Sequence, residues 1–138
     1  MLDTQGSLVW SPAYANQMHR KLALRSFRRI KHSKSQVDYV IGDPSHYNAL
    51  QVMWETIGLT HRMSTGFYFV TSALSLCDKI NVYGFWSLAN APDGRNVSYH
   101  YYDDITLSES HDWSREIKFI FGLHNMGVLQ VHVGKCTS

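Results

Sequence analysis

The sequence predicts an α/β fold built on a largely parallel sheet. Segments whose apolar residues recur at helical spacing alternate with short apolar runs of strand length. Turn and capping residues stand where one period gives way to the next. The chain has 138 residues, 44% apolar and 17% charged, which is enough for one domain with a buried core. No internal repeat or low-complexity tract interrupts this pattern.

The first helix is expected from Met18 to Ile30, with Met18, Leu22, Ala23, Phe27 and Ile30 near one face and basic residues elsewhere. Gln36 to Ile41 is a short apolar run suited to a buried strand. Asp43-Pro44 then reads as an N-cap followed by proline at the first helical position. The helix it starts should turn Leu50, Met53, Trp54 and Ile57 inward and stop at Gly58. A third helix follows Thr65, with Phe69, Val70, Ala73, Leu74 and Leu76 inward. Lys79 to Phe85 reads as a strand, and Ser87 to Ser110, which has no sustained period, as a long functional loop. A helix from about Asp112 to Asn125 and a strand from Val128 to Val133 close the chain.

The formal net charge of +2 says little about partners, but the distribution of charge says more. Seven of the thirteen Lys/Arg lie between Arg20 and Lys34, and no acid occurs between Asp3 and Asp38. A solvated amphipathic helix explains this segment. Nucleic acid is not an expected partner, because no interleaved aromatic stripe supports base stacking. An anionic surface is another candidate partner for a basic face of this kind. No run reaches the length of a membrane span, and Met1 to Trp10 lacks the pattern of a signal peptide. Neither Cys77 nor Cys136 belongs to a Cys-x-x-Cys pair, so nothing local favours a metal. Asn96-Val97-Ser98 fits the N-glycosylation pattern.

Four elements carry chemistry. Ser64-Thr65-Gly66 precedes a helix, where it serves as a simple N-cap or, through exposed N–H groups and hydroxyls, binds a phosphate or carboxylate. Tyr83-Gly84-Phe85-Trp86 leaves a strand at its carboxyl end, the side on which open α/β sheets hold ligands. Gly84 allows close backbone approach, and Trp86 offers a flat face for a base or sugar. His100-Tyr101-Tyr102-Asp103 and His111-Asp112-Trp113-Ser114-Arg115-Glu116 each open on a histidine, the side chain whose ordinary pKa suits proton transfer near neutrality.

In this order the four elements resemble the eukaryotic sialyltransferases, glycosyltransferase family 29. That family carries a small sialylmotif, a third motif of the His-Tyr-Tyr-Asp/Glu type and a very small motif of the form His-x4-Glu. Here the small-motif segment runs from about His61 to Trp86 and includes Cys77. Its Arg62-Met63-Ser64-Thr65-Gly66 start, its Tyr83-Gly84-Phe85-Trp86 end and the form of the third motif look most like the α2,8 branch. The resemblance covers roughly Val37 to Cys136. Residues 1–36 are then an N-terminal basic helical segment, and residues 37–138 a sialyltransferase-like catalytic region. Two prolines usual in the family are absent, with Ser87 and Ser114 in their places.

The resemblance implies a Rossmann-like sheet of the GT-A variant type with flanking helices, of which this chain is the C-terminal part. It implies transfer of sialic acid from CMP-sialic acid to a sialylated glycoprotein or glycolipid, with inversion and no obligatory metal. His111 would be the general base, and His100 would stabilise the departing phosphate. Ser64, Thr65, Gly66, Gly84, Phe85 and Trp86 would line the donor, and Tyr101, Asp103 and Glu116 would support the site. Cys77 and Cys136 would pair with cysteines outside this region, and the working location would be the Golgi lumen. The family's large sialylmotif is not among these residues, so the alternative expectation is a truncated, non-catalytic binding or regulatory module.

Overall fold

A computed structural model describes residues 8–11, 17–33, 37–86, 88–91, 94–98 and 111–133. The chain divides into two compact units, Met1–Val52 and Met53–Ser138.

The first unit is a β–α–β arrangement. Strand β1 (Leu8–Ser11) pairs in parallel with β2 (Asp38–Ile41), in a register running from Leu8 opposite Asp38 to Ser11 opposite Ile41. Parallel strands need a crossover, and helix α1 (Gln17–His32) lies in the connection. Ala23 is buried, Phe27 and Ile30 are half-buried, and the Phe27 ring meets Tyr39 of β2 at 6.0 Å. These are positions i, i+4 and i+7 of one helical face. Met18 and Leu22, expected on that face, are exposed. β1 carries too few alternating residues to be read from sequence, and it was not anticipated.

Helix α2 (Pro44–Thr56) starts as the sequence predicts, with Asp43 Oδ1 accepting the Ser45 N–H at 2.8 Å. Its buried residues are Tyr47 and Trp54. Phasing on that pair puts Met53 and Ile57 on an exposed flank, against expectation, while Leu50 is half-buried. Gly58 ends the turn with φ +109°, a conformation glycine adopts without the Cβ penalty.

The second unit repeats the β–α–β theme. Strands β3 (Asn81–Tyr83) and β4 (Gln130–His132) pair in parallel, and helix α4 (Trp113–Asn125) lies between them in sequence. Helix α3 (Thr65–Ala73) precedes β3. The core is made by Trp54, Leu59, Met63, Phe67, Tyr68, Val70, Val82, Ile117, Ile120 and Leu129, all at or below 5% exposure. Trp54 lies 4.9 Å from both Phe67 and Phe119, ring centre to ring centre, which ties the end of α2 to α3 and α4. Leu76, expected inside, is 72% exposed. α3 ends at Ala73, whose carbonyl accepts from Leu76 and Cys77, and that turn carries the chain away from the core.

The structure is therefore mixed α/β with parallel strand pairs. Part of the expected Ser87–Ser110 loop is ordered by an antiparallel bridge between Asn90 and Asn96, closed by Val97 N–H to Ala89 and Ala91 N–H to Arg95. Among the described residues no helix is long and apolar enough to cross a membrane.

Candidate active site

The second unit brings the start of the small-motif segment against the start of α4. Ser64 is the N-cap of α3: its backbone is extended, and its hydroxyl oxygen accepts the Phe67 N–H at 3.0 Å. The hydroxyl proton goes to Glu116 Oε2 at 2.6 Å, and the Ser64 N–H goes to Glu116 Oε1 at 2.7 Å. Both capacities of the Ser64 side chain are thus used within the protein. Of the expected donor-binding trio, Ser64 is engaged within the protein, Thr65 is exposed and Gly66 half-buried.

Glu116 is 2% exposed. Burial pushes its carboxyl above the usual range, while the two bonds from Ser64 and the nearby His111 act in the opposite sense. The resemblance implies a supporting role for Glu116. The structure gives it a specific partner, the cap of α3.

His111 sits just before α4, half-buried, with its Nδ1 2.7 Å from the Arg62 carbonyl oxygen. A carbonyl only accepts, so Nδ1 carries the proton and Nε2 of the neutral ring holds the lone pair. The edge of Trp113 meets the same ring at 4.8 Å. Asp112 caps α4, accepting the Arg115 N–H at 3.3 Å on Oδ1. Its other oxygen accepts from Thr60, and that bond is the main reason its carboxyl lies below the usual range.

The far end of the small-motif segment returns to the same place. Gly84 has φ +71° and turns the chain out of β3. Phe85 then lies against the first turn of α3, so close that a methyl group at Gly66 would stand 2.8 Å from its ring. Trp86 donates its Nε1–H to the Asn90 carbonyl at 2.8 Å and meets Phe121 of α4 edge-on at 6.3 Å. Gly66 thus meets Phe85, Ser64 meets Glu116, and Trp86 meets α4 at Phe121.

His100, Tyr101, Asp103 and Cys136 lie outside the described residues. Cys77 is an exposed thiol, and Asn96 is exposed beside Asn90, whose amide donates to it at 3.3 Å. Thr60 and Arg115 were missed by sequence reasoning. Their only signal is adjacency to motif residues, and their contacts join positions more than fifty residues apart.

With this geometry in hand, comparison with known proteins is decisive. Residues 1–128 match the family described as glycosyltransferase family 29 (sialyltransferase). The chain belongs to that family. It is 31% identical over 132 residues to an alpha-N-acetylneuraminide alpha-2,8-sialyltransferase of Xenopus laevis, covering 94% of this chain and 37% of that protein. It is 28% identical over 134 residues to alpha-2,8-sialyltransferase 8E of Rattus norvegicus, covering 96% of this chain and 36% of the relative. With alpha-2,8-sialyltransferase 8F of Homo sapiens the identity is 28% over 127 residues, covering 91% and 32%. The chain spans about a third of the length of these family 29 relatives.

Proposed function

We propose that this chain supplies the base-bearing part of an α2,8-sialyltransferase site, which moves sialic acid from CMP-sialic acid to a sialylated glycan. The observation that carries the reading is the orientation of His111. With Nδ1–H committed to the Arg62 carbonyl, Nε2 is the nitrogen left to take a proton. In the reaction, Nε2 accepts the proton of the acceptor hydroxyl as that oxygen bonds to the anomeric carbon. The bond from that carbon to the CMP phosphate oxygen breaks on the opposite face, so the configuration inverts. His100 serves the departing phosphate by hydrogen bonding.

Thr65 and Gly66 at the start of α3, with Gly84, Phe85 and Trp86 beside it, form the donor side of this reading. The backbone N–H groups of a helix start suit a phosphate or carboxylate. Proton transfer and positioning suffice for the step, and no metal is invoked. Each β–α–β unit is a building block of a Rossmann-like sheet, the fold we assign to the whole domain. The working location is the Golgi lumen, where Asn96 would be open to glycosylation.

The test is sialyl transfer from CMP-sialic acid to a sialylated acceptor, by the parent chain and by His111→Ala. Loss of transfer by about 10²–10⁴-fold is the expected effect of removing a general base. Transfer that survives His111→Ala sinks the assignment.

A further inference from the structure

The segment from Gly58 to Ser64 touches the start of α4 at every second residue. The Gly58 carbonyl accepts from the Arg115 guanidinium. The Thr60 hydroxyl donates to Asp112. The Arg62 carbonyl accepts from His111 at 2.7 Å, and Ser64 donates twice to Glu116. Of the residues between, Leu59 and Met63 are 3% and 2% exposed and anchor the same segment in the core. The contacts come from backbone carbonyls at Gly58 and Arg62 and from side chains at Thr60 and Ser64. The segment is a strap laid across the helix start.

Within this strap only the Arg62 carbonyl touches His111 among the described contacts, and a backbone carbonyl points where its chain is held. Two residues to either side, Thr60 and Ser64 are side-chain anchors, and Thr60 is the one that reaches the residue next to His111. Its hydroxyl has one proton, which goes to Asp112 Oδ2. Its oxygen then accepts from His61 Nδ1 at 3.0 Å, so His61 carries its proton on Nδ1. Asp112 is fixed in turn by Arg115, whose Nε lies 3.3 Å from the same Oδ2 while its NH1 reaches the Gly58 carbonyl. The chain of contacts closes on itself from Gly58 through Arg115, Asp112 and Thr60.

We propose that Thr60 and Asp112 are positioning residues for His111: together they pin the strap so that the Arg62 carbonyl holds the Nδ1–H tautomer. The inference rests on reading His111 as the base for its meaning in the reaction, but not for its test. Without the Thr60–Asp112 bond the strap loses its hold on the N-terminal side of Arg62, the carbonyl shifts from Nδ1, and the imidazole proton redistributes between its two nitrogens. The base nitrogen then spends part of its time already protonated, which removes it from catalysis while leaving the fold in place.

The experiment is nitrogen NMR of the chain labelled at its histidines, with the His111 signals assigned by their disappearance in His111→Gln. The parent should show the Nδ1–H signature at His111. Thr60→Val, which keeps the shape and removes the hydroxyl, should lose that signature, and Thr60→Ser should restore it. Asp112→Asn keeps an oxygen to cap α4, since Asn caps as well as Asp, but puts an NH2, a donor, where Oδ2 accepted the Thr60 proton. It should show the same loss with the helical circular dichroism of the parent retained, so the proposal stays open to disproof even where Thr60→Val fails to fold. A His111 signature unchanged in folded Asp112→Asn or folded Thr60→Val overturns the proposal. Failure of His111→Ala to affect transfer would remove the base reading while leaving the NMR result intact, so the two are separable.

Discussion

Glu116 receives both the backbone N–H and the hydroxyl of Ser64, from a residue 52 positions earlier in the chain. One buried carboxylate therefore joins the two motifs that the sequence shows only as separate strings. Because Ser64 also caps α3, the bond transmits the position of α4 to the helix start expected to face the donor.

Glu116→Ala should destabilise the protein more than Glu116→Gln. The alanine leaves the buried Ser64 N–H and hydroxyl without their acceptor, at about 1–3 kcal/mol for an unsatisfied buried group. Glutamine keeps a carbonyl oxygen in place. Urea unfolding of the three proteins checks the order, and equal loss in both variants contradicts the hydrogen-bonding role.

The same residue sets a pH dependence. Burial raises the Glu116 carboxyl above its ordinary 4.5. A raised carboxyl holds its proton more tightly in the folded than in the unfolded state. Its contribution to stability is complete below 4.5 and is lost as pH rises through the folded value. Glu116→Gln does not titrate, so the variant should gain on the parent in urea midpoint as pH is raised from 4.5 toward neutrality. A gap that moves the other way means that the Ser64 bonds outweigh burial.

Asp112 has the opposite sign. The Thr60 hydroxyl holds its carboxyl below the ordinary 3.8, so its contribution is present above that value and lost as pH falls through the folded one. The advantage of the parent over Asp112→Asn should shrink below pH 3.8 in acid titrations followed by circular dichroism.

Gly66→Ala should overpack the contact with Phe85, since the new methyl group would stand 2.8 Å from the ring. Overpacking of this kind costs about 1–3 kcal/mol. Phe85→Ala removes the obstacle, so the double variant should lose less stability than the sum of the two single changes. Strict additivity in thermal melts would show that the ring moves aside freely.

Leu76 and Leu59 make a direct contrast. Leu76→Ser should change stability by no more than about 0.5 kcal/mol, because the side chain is 72% exposed. Leu59→Ala, which empties a site that is 3% exposed, should cost about 2–5 kcal/mol. Denaturant midpoints of the two variants would reveal any inversion of that order.

Much of this architecture is legible in the sequence. Asp43-Pro44 and Asp112 mark the starts of α2 and α4, Gly58 marks a stop, and the alternation of periods announces parallel strands with helical crossovers. These signals are local: a cap or a proline acts on the backbone within a few residues of itself. The inward faces were less legible. The burial of Tyr47 and the exposure of Met53, Ile57 and Leu76 depend on which neighbour each helix meets, and helical spacing does not record that.

By itself, the sequence determined the α/β class, the helix starts and the motifs that place the chain in glycosyltransferase family 29. Tertiary structure alone decided that Ser64 belongs to Glu116, that Phe85 fills the space left by Gly66, and that Thr60 donates to Asp112. The physical reason is range. Periodicity and capping act over a turn or two of chain, whereas these contacts close only when burial of Leu59, Met63, Phe67 and Ile117 brings the strap onto the start of α4.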